Sequence, residues 1–487
     1  MAKSKQSDWK IDIEVVFQRH PFAQTLLEEL TDAGHDAVLV GGVIRDGLRD
    51  QLEPEFSFDP KEVDIATSAL PAEMKEIFKG HKMMKVGEAF GVLVIMSPEQ
   101  RPYEVATFRI EGGYDGRRPS RVEHVRELKE DLIRRDFTVN GLAARADGVV
   151  LDYVGGIPDL EKRVIRAIGD PAERFQEDYL RLLRAVRFAS LLDAELSPET
   201  WDAIQENSEG LRQISAERIR DEFLGILSTS KSAKGIRLLD ELNLLEIILP
   251  ELVACKGVPQ PEKYHPEGDV FIHTLMALEI GDQFILNPRV KLALLLHDIG
   301  KPMALEINQG AHAGGHDQIG ADMAAEICRR LRMSNTEVRF VESLVREHQR
   351  VGQLNLMTRS HQMKFIMQRE DKEHSVREVA TRFPWLSELV QLMIADSEAS
   401  AMKSKAWLPV VQTIQSMLVH LDELDETTRA HKLIDGNDLL QLGAQKGPQI
   451  GKLLDQIYEQ IFAGDIKTRD EALKLASELI SQKRSKS

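Results

Sequence analysis

Apolar positions divide the chain into two regions of different periodicity. Up to about residue 170, short apolar runs lie between glycine, proline and polar residues, a pattern typical of strands joined by turns and short helices. From Ala172 onward, apolar residues recur at helical spacing almost throughout. The pattern therefore predicts an α+β region near the start, followed by a mostly α-helical remainder.

The run AVLV, residues 37–40, is typical of a buried strand, and Gly41 and Gly42 end it. Residues without a Cβ let a phosphate approach the backbone, and the next helix opens with free N–H groups that favour an anion. Arg45 lies in that opening turn. We interpret the stretch as a phosphate-binding turn, with an ordinary strand-end turn as the alternative.

Two carboxylates follow in KEVDIAT, which the pattern predicts to be a strand. Glu62 and Asp64 are two residues apart, so both face one side, while Val63 and Ile65 face the other. Beside a phosphate-binding turn, such a pair is suited to a divalent metal and a nucleoside triphosphate. A solvated face of an edge strand is the competing interpretation.

The runs GVLVIM and YEVATFRI, separated by SPEQRP, predict a β-hairpin. Glu104 lies on its second strand and is either a third carboxylate of the metal face or half of a cross-strand charge pair. Residues 110–122 are rich in glycine and arginine and predict a mobile loop. Near the end of the next helical run, Arg135 and Asp136 follow Arg134, and arginine suits forked contacts with phosphate oxygens.

The segment EDYLRLLRAVRF, residues 177–188, predicts one helix in which Asp178 and Arg181 share a face. Arg184 is rotated about 60° further, and Arg187 lies roughly opposite Asp178. A surface ladder of salt bridges is the alternative to a binding role.

Farther along, histidines and aspartates punctuate apolar helices. The adjacent pair His297 and Asp298 closes a buried helical run. Further nitrogen and oxygen ligands on neighbouring helices would complete a site for one or two metal ions. The candidate ligands are His273, His297, Asp298, His316, His348 and Asp396.

Composition narrows the class of protein. A chain of 487 residues is too long for one core, and 42% hydrophobic content is ordinary for a globular protein. No apolar run reaches the length of a membrane span, the start MAKSKQSDWK lacks a signal-like apolar stretch, and two cysteines favour the cytoplasm. The net charge of −16 argues against non-specific coating of nucleic acid, although clustered arginines permit a local basic groove.

Several of these motifs together resemble one family. GGVIRD, EVDIAT, YEVATFR, EDLIRRDFTVNGLA, GDPAERFQEDYLRLLRAVRFA and HPEGDVFIHTLMAL are similar to the bacterial class II tRNA nucleotidyltransferases and poly(A) polymerases. CCA-adding members with an HD domain are nearest. The resemblance implies an α+β nucleotidyltransferase head with a small mixed sheet (residues 1–170), a helical neck and body (171–258), an all-α HD domain (259–400) and a helical tail (401–487).

The resemblance also implies roles for individual residues. The phosphate and ribose contacts of the family fall on Gly42, Arg45 and Arg135, and its metal carboxylates fall on Glu62 and Asp64. Many relatives have aspartate where this chain has Glu62, and the longer side chain puts the metal preference in question. The base-reading motif of the family falls on Glu177, Asp178 and Arg181, followed by Arg184 and Arg187.

The expected reaction is attack of a tRNA 3′-hydroxyl on the α-phosphate of CTP or ATP, with Mg²⁺ in the head and pyrophosphate leaving. A carboxylate accepts from the exocyclic amine of cytosine or adenine, and a guanidinium donates to the adjacent ring nitrogen, which fits Asp178 beside Arg181. The HD domain is expected to hold a divalent metal and to hydrolyse phosphate esters. No membrane and no obligate protein partner are expected.

Three alternatives stay open at this point. The first is A-addition alone or poly(A) tailing by the same fold. The loop at residues 110–122 resembles one found in full CCA-adding and A-adding members, which disfavours addition of C alone. The second is a phosphohydrolase whose head only binds nucleotide. The third is an RNA-binding adaptor in which both sites are silent.

Overall fold

The computed structural model describes residues 6–84, 91–115, 118–261, 265–266, 268–285, 287–366, 385–400, 405–430, 433–445, 447, 449–462 and 464–484. The chain forms two compact units, Met1–Pro250 and Glu251–Ser487. The expected α+β head followed by helical regions is confirmed. The finer division into four domains stays a prediction.

All strands of the described residues lie in the first unit. They are β1 Gln6–Lys10, β2 Ala37–Val40, β3 Asp64–Thr67, β4 Lys82–Met84, β5 Val92–Met96, β6 Pro102–Thr107, β7 Arg109–Asp115, β8 Arg118–His124, β9 Leu142–Ala144, β10 Val149–Asp152, β11 Val164–Ile165 and β12 Glu195–Leu196. Eight of the described strands form one mixed sheet in the order β1-β10-β9-β2-β3-β6-β5-β4. Strand β2 lies inside this sheet, so its C-terminal end is held from both sides.

The register of three strands places two carboxylates side by side. Val40 of β2 pairs antiparallel with Asp64 of β3, and Asp64 pairs parallel with Glu104 of β6. Ile65 and Val105 are buried, whereas Asp64 and Glu104 are exposed. This alternation is that of strands with one face against the core. Strands β5 and β6 form the predicted hairpin.

Two strand predictions need correction. Strand β3 begins at Asp64, so Glu62 lies in the segment before it, although Glu62 is exposed and Val63 is buried as the alternation required. The predicted loop at 110–122 forms the antiparallel pair β7 and β8 in its described part, with Gly112 opposite Arg121. Backbone pairing between two strands tolerates glycine and arginine. The prediction of a loop from the composition of this segment was therefore wrong.

The helices of the first unit pack on the large sheet or on one another. They are α1 Ile13–Arg19, α2 Pro21–Asp32, α3 Gly42–Leu52, α4 Pro71–Ile77, α5 Leu128–Ile133, α6 Gly156–Glu161, α7 Pro171–Glu177, α8 Leu180–Leu191, α9 Pro198–Asn207, α10 Ala216–Leu227, α11 Ser232–Glu241 and α12 Leu245–Ile248, with α13 Pro250–Val253 at the boundary. The expected single helix at 177–188 is wrong. Asp178 is extended (φ −154°, ψ 103°), and its carboxylate accepts the N–H of Leu180, which starts a second helix.

The second unit is helical throughout its described part. Its helices are α14 Val270–Gly281, α15 Pro288–Leu296, α16 Lys301–Ile307, α17 His316–Arg330, α18 Asn335–Gly352, α19 Arg359–Ile366, α20 Leu386–Ala399, α21 Trp407–Ala430, α22 Gly436–Gln441, α23 Gln449–Phe462 and α24 Arg469–Arg484. Helices α22 to α24 enclose an apolar cluster of their own around Ile457. Among the described residues, no helix combines the length and apolar character that crossing a bilayer requires.

A close backbone contact joins Gly300, the N-cap residue of α16, to α17 in this unit. A Cβ added to Gly300 would lie 2.3 Å from the carbonyl oxygen of His316 and 2.6 Å from the backbone N of Gly320. Only a residue without a side chain permits α17 to approach so closely. Gly300 follows Asp298 by two positions, so this contact brings Asp298 towards His316.

We predict that Gly300→Ala lowers the free energy of unfolding by about 1–3 kcal/mol, because the added methyl group meets backbone that cannot rotate away. Gly352→Ala is the matched control, since a Cβ at that helix end meets no atom within 4 Å. Chemical unfolding of both variants measures the difference. Equal unfolding transitions for Gly300→Ala and the wild type would show that α17 can shift at no cost.

Candidate functional sites

In the first unit, the end of β2 brings a glycine, a carboxylate and an arginine together. Gly41 has φ +81°, and a Cβ built on it would lie 3.6 Å from Oδ2 of Asp64 and 3.9 Å from Nη1 of Arg135. Gly41 is also the N-cap of α3, whose first N–H groups lack helical partners. The turn therefore has an open approach to backbone donors beside an acid and a base.

Three acidic residues converge next to that turn. Asp64 is exposed as a residue, yet partial loss of hydration raises the pKa of its carboxyl group, and so do Glu104 and Glu62. Arg135 acts in the opposite direction. Among the described residues, no lysine or arginine pairs with Glu104, so a cross-strand charge pair does not explain this side chain. The cluster concentrates negative charge that a divalent cation would relieve.

Arg135 has donors to spare. Its Nη2 donates to Oδ2 of Asp131 at 3.2 Å, while its buried Nε has no acceptor among the described residues. Asp131 is buried, which alone would raise the pKa of its carboxyl group, but Arg134 and Arg135 hold that pKa below its usual value. Arg135 is thus fixed from one side and keeps N–H groups for an anion.

Arg45 is held more completely. It is buried, and it donates to both carboxylate oxygens of Asp46 at 2.9 Å and to Oδ1 of Asn140 at 2.8 Å. Its guanidinium also lies 5.5 Å from the ring centre of Phe188. Three of its five N–H groups have partners, so two are left for a ligand.

Asp136 belongs to a buried ion pair. Its Oδ1 accepts the N–H of Phe137 at 2.8 Å, and its Oδ2 accepts Nε of Arg184 at 2.7 Å. Burial alone would raise the pKa of the Asp136 carboxyl group, but Arg184 and the Phe137 N–H lower it. The contact joins the segment after α5 to α8, so Asp136 anchors an arginine in this structure.

Asp178 and Arg181, expected on one face of one helix, contact different partners. Asp178 binds Arg218 of α10 through two hydrogen bonds, at 2.6 and 3.2 Å. Arg181 instead donates to Glu177 and to the carbonyl oxygen of Arg174. The break between α7 and α8 removes the helical register that would have placed the two on one face.

Arg187 completes the set of predicted residues in this unit. It donates to Oε2 of Glu222 at 2.6 Å, and the same carboxylate lies 3.7 Å from Arg184.

Sequence reasoning missed Arg218, Glu222 and Asn140, because each acts on a residue at least 35 positions away and no local pattern signals such a contact. Asp131 lay one turn before Arg135, and that spacing was a usable signal.

In the second unit, all six candidate ligands come together. Their closest contacts join His273 Nε2 to Asp396 Oδ1 at 2.9 Å, His316 Nε2 to Asp298 Oδ1 at 3.1 Å and His297 Nε2 to Asp298 Oδ2 at 3.2 Å. His348 lies 3.9 Å from Asp298. Two overlapping groups, each with ligand atoms within 4.8 Å of one another, share Asp298: His273, His297 and Asp298, and Asp298, His316 and His348.

The histidine rings are oriented as metal ligands. Nδ1 of His297, His316 and His348 lies 2.6 to 2.8 Å from the carbonyl oxygen three residues earlier. Such a contact fixes Nδ1 as the donor and leaves Nε2 with a lone pair. Nε2 of His297 and His316 is buried, and its short contact with Asp298 does not have the geometry of a hydrogen bond. The residues present therefore fit a bound metal.

The charges of this cluster also favour a bound metal cation. Burial alone would lower the pKa of His297, but Asp298 and Asp396 raise it to about 10. Burial and the neighbouring His297 lower the pKa of His348 to about 4. The His297 imidazolium, together with the Lys301 ammonium that donates to Asp298, thus offsets the charge of two carboxylates whose own pKa values lie well below the ordinary range. A metal cation would replace that proton.

Family comparisons match three parts of the chain. Residues 37–166 match the poly A polymerase head domain, residues 193–255 match the probable RNA and SrmB-binding site of polymerase A, and residues 270–382 match the HD domain. These ranges contain all the described acidic residues at the β2 turn and five of the six clustered ligands. Asp396 lies beyond the HD match.

Curated relatives are CCA-adding enzymes. That of Pediococcus pentosaceus is 47% identical over 215 residues, which cover 44% of this chain and 52% of the relative. That of Levilactobacillus brevis is 30% identical over 464 residues, which cover 95% of this chain and 98% of the relative. The first relatives are matched over only 52 to 58% of their own length.

Solved structures agree on the fold. The CCA-adding enzyme of Bacillus stearothermophilus in complex with CTP has a TM-score of 0.67 at 25% identity, covering 96% of this chain and 99% of that one. The Thermotoga maritima CCA-adding enzyme complexed with tRNA has a TM-score of 0.60 at 18% identity, covering 96% and 98%, and so shows the shared fold alone.

We predict that Asp136→Asn lowers the free energy of unfolding by about 1.5–3 kcal/mol at pH 7, because Arg184 loses a charged partner. The pKa of Asp136 is lower in the folded protein than its ordinary value of 3.8. The carboxylate therefore stabilises the fold above that pH, and its contribution is lost as the pH falls through the folded pKa.

Urea unfolding at pH 7 and below pH 3.8 tests this, with exposed Asp202→Asn as the control. The difference between Asp136→Asn and the wild type should shrink at the lower pH, whereas Asp202→Asn should match the wild type at both. A difference that is independent of pH would mean that the ion pair is not its source.

Proposed function

The chain belongs to the family of CCA-adding enzymes, and from this premise we propose that it is a tRNA nucleotidyltransferase that adds C and A residues to the tRNA 3′ end from CTP and ATP. The supporting observation is the convergence of Asp64, Glu104 and Arg135 on the turn at Gly41. Such a site brings an anion-binding backbone and a cation-binding acidic cluster within one nucleotide's reach. The proposed substrate and the two free, buried cysteines agree with a cytoplasmic protein.

The backbone at Gly41 and Gly42, together with Arg135, would hold the triphosphate. Arg135 keeps Nη1, which lies beside the Gly41 turn, for phosphate oxygens, and Arg45 contributes from a fixed position on α3. Because Gly41 carries no side chain, a phosphate can lie against the turn without displacing Asp64. Positioning and electrostatics of this kind supply most of the catalysis that phosphoryl-type transfer needs.

The acidic cluster would hold Mg²⁺. Glu62, Asp64 and Glu104 fit the ion, because oxygen ligands suit it. Loss of hydration, together with repulsion from Glu104 and Glu62, raises the pKa of Asp64, and a cation would relieve that repulsion. When bound, Mg²⁺ lowers the pKa of the attacking 3′-hydroxyl and neutralises charge on the triphosphate. Glu62 precedes the strand and is free to adjust its longer side chain toward the same ion.

Base selection would use Asp178 and Arg181 as separate contacts. Asp178 accepts from the exocyclic amine of cytosine or adenine, and Arg181 donates to the adjacent ring nitrogen. Uracil and guanine place a carbonyl where the carboxylate needs a donor. Each side chain has its own protein partner, and Arg181 uses Nη1 for Glu177 and for the carbonyl oxygen of Arg174. Arg184 and Arg187 line the same helix, and their ion pairs with Asp136 and Glu222 give α8 a fixed position.

We predict that Asp64→Asn and Glu104→Gln each reduce nucleotide transfer by roughly 10²-fold or more, because each removes an anionic ligand from the acidic cluster. Glu55→Gln is the control, since Glu55 is exposed and lies in the segment between α3 and β3. Single-turnover incorporation of radiolabelled CTP at saturating Mg²⁺ measures the rates. Wild-type rates in either acidic variant would place the metal elsewhere.

We infer a second function for the second unit, a metal-dependent hydrolysis of phosphate esters. The observation that favours it is the pair of ligand groups sharing Asp298. One metal would be held by His273, His297, Asp298 and Asp396, and a second by Asp298, His316 and His348. Nitrogen and oxygen ligands of this kind suit Mn²⁺, Fe²⁺, Co²⁺ or Zn²⁺. When bound, such ions activate water and polarise a phosphoryl oxygen.

We predict that the full-length protein binds two equivalents of Mn²⁺ or Co²⁺ at these residues in addition to any held by the acidic cluster, that His316→Ala loses one of the two, and that Asp298→Ala loses both. Hydrolysis of bis-p-nitrophenyl phosphate and of 2′,3′-cyclic AMP should fall with metal content, while CTP incorporation is retained. His361→Ala, an exposed histidine outside the cluster, is the control. Calorimetric titration and elemental analysis give the stoichiometry, and unchanged metal content in Asp298→Ala would reject the site.

A further inference from the structure

The carboxylate of Asp178 is nearly saturated with donors. Its Oδ1 accepts the N–H of Leu180 at 3.1 Å and Nη1 of Arg218 at 3.2 Å, and its Oδ2 accepts Nη2 of Arg218 at 2.6 Å. A carboxylate offers about four lone-pair positions. One acceptor position, on Oδ2, therefore has no donor among the described residues.

We propose that Arg218 is a specificity-determining residue that acts by fixing this single acceptor. The proposal rests on the proposed base-reading role of Asp178. A carboxylate that rotates freely can turn either edge to a ligand or accept a bridging water, and it then tolerates a carbonyl nearby. Held by a two-pronged guanidinium and a backbone N–H, it presents one acceptor in one direction. Only a base with an amine at that point, cytosine or adenine, satisfies it.

The position of Arg218 supports this role. It lies in the first turn of α10, and Glu222 lies four residues later on the same face of that helix. Glu222 accepts from Arg187 of α8, while Arg218 donates to Asp178 just before α8 begins. Helix α10 therefore binds both ends of the segment that would face the base, at Asp178 and at Arg187. The side chains of Arg218 and Asp178 are 21% and 18% exposed, so water competes weakly for the pair.

Arg218 and Asp178 have different roles in this proposal. Asp178 would touch the base, whereas Arg218 acts through Asp178 and is a positioning residue. Loss of Arg218 should therefore raise misincorporation without weakening the hold on the triphosphate. That combination differs from the effect of a general loss of structure, which would lower transfer with every nucleotide alike.

The experiment compares kcat/KM for CTP, ATP, UTP and GTP on a tRNA that lacks its CCA end. Arg218→Ala is expected to raise the efficiency with UTP and GTP relative to CTP and ATP by roughly tenfold, with the KM for ATP changed by less than about threefold. Arg218→Lys keeps the charge but not the fork, and should fall between Arg218→Ala and the wild type. Arg212→Ala removes an exposed arginine paired with Glu209, and should match the wild type.

A double-variant cycle decides whether Arg218 acts through Asp178. If it does, Asp178→Ala and Asp178→Ala/Arg218→Ala have the same selectivity, because there is no longer a carboxylate to orient. Selectivity losses that add in the double variant overturn the proposal, as does wild-type selectivity in both Arg218 variants. Selectivity retained in Asp178→Ala instead rejects the base-reading role of Asp178, and the role of Arg218 with it. Thermal unfolding of each variant confirms that the folded protein is measured.

Discussion

The missing side chain at Gly41 is the constraint on which the first site depends. At the end of β2 the backbone turns with φ +81°, and a Cβ there would lie 3.6 Å from the Asp64 carboxylate and 3.9 Å from Arg135. A side chain would both strain that turn and fill the space between an acid and a base. Because β2 is paired on both sides, its C-terminal end, where Gly41 turns, is held in place. The sheet thus keeps the turn rigid, and the missing side chain of Gly41 lets a ligand reach it.

In the first unit, half-buried arginines are held by carboxylates of the protein itself. Asp131 holds Arg134 and Arg135, Asp136 holds Arg184, and Asp178 holds Arg218. A guanidinium that is partly removed from water is costly without a partner, so these pairs allow a site for an anionic substrate to exist in the folded protein. These arginines differ in how many of their N–H donors stay available to a ligand. Arg135 keeps unpaired donors, whereas Arg184 is bound more completely, and the proposed phosphate and positioning roles follow from that difference.

Short-range patterns carried much of what could be predicted from the sequence. The strand–glycine turn, the hairpin bearing Glu104 and the helical remainder depend on local periodicity and turn residues, and the structure shows them. The break at Asp178 was missed because the side chain competes with the helix for the N–H of Leu180, which periodicity does not report. The partner of Asp178 lies 40 residues away, so only the tertiary structure could reveal it. The six ligands of the second unit were predictable by residue type and order, but their sharing of Asp298 was not.

The proposed function requires the acidic cluster beside Gly41 to support extension of a tRNA end by a short, defined sequence. Incubation of the full-length protein with Mg²⁺, CTP, ATP and a tRNA transcript ending before its CCA, with products resolved at single-nucleotide length, measures this directly. We expect a discrete product three nucleotides longer, ending in CCA, and no product with UTP or GTP alone. A transcript that is not extended, or one that acquires a long run of A, would contradict it.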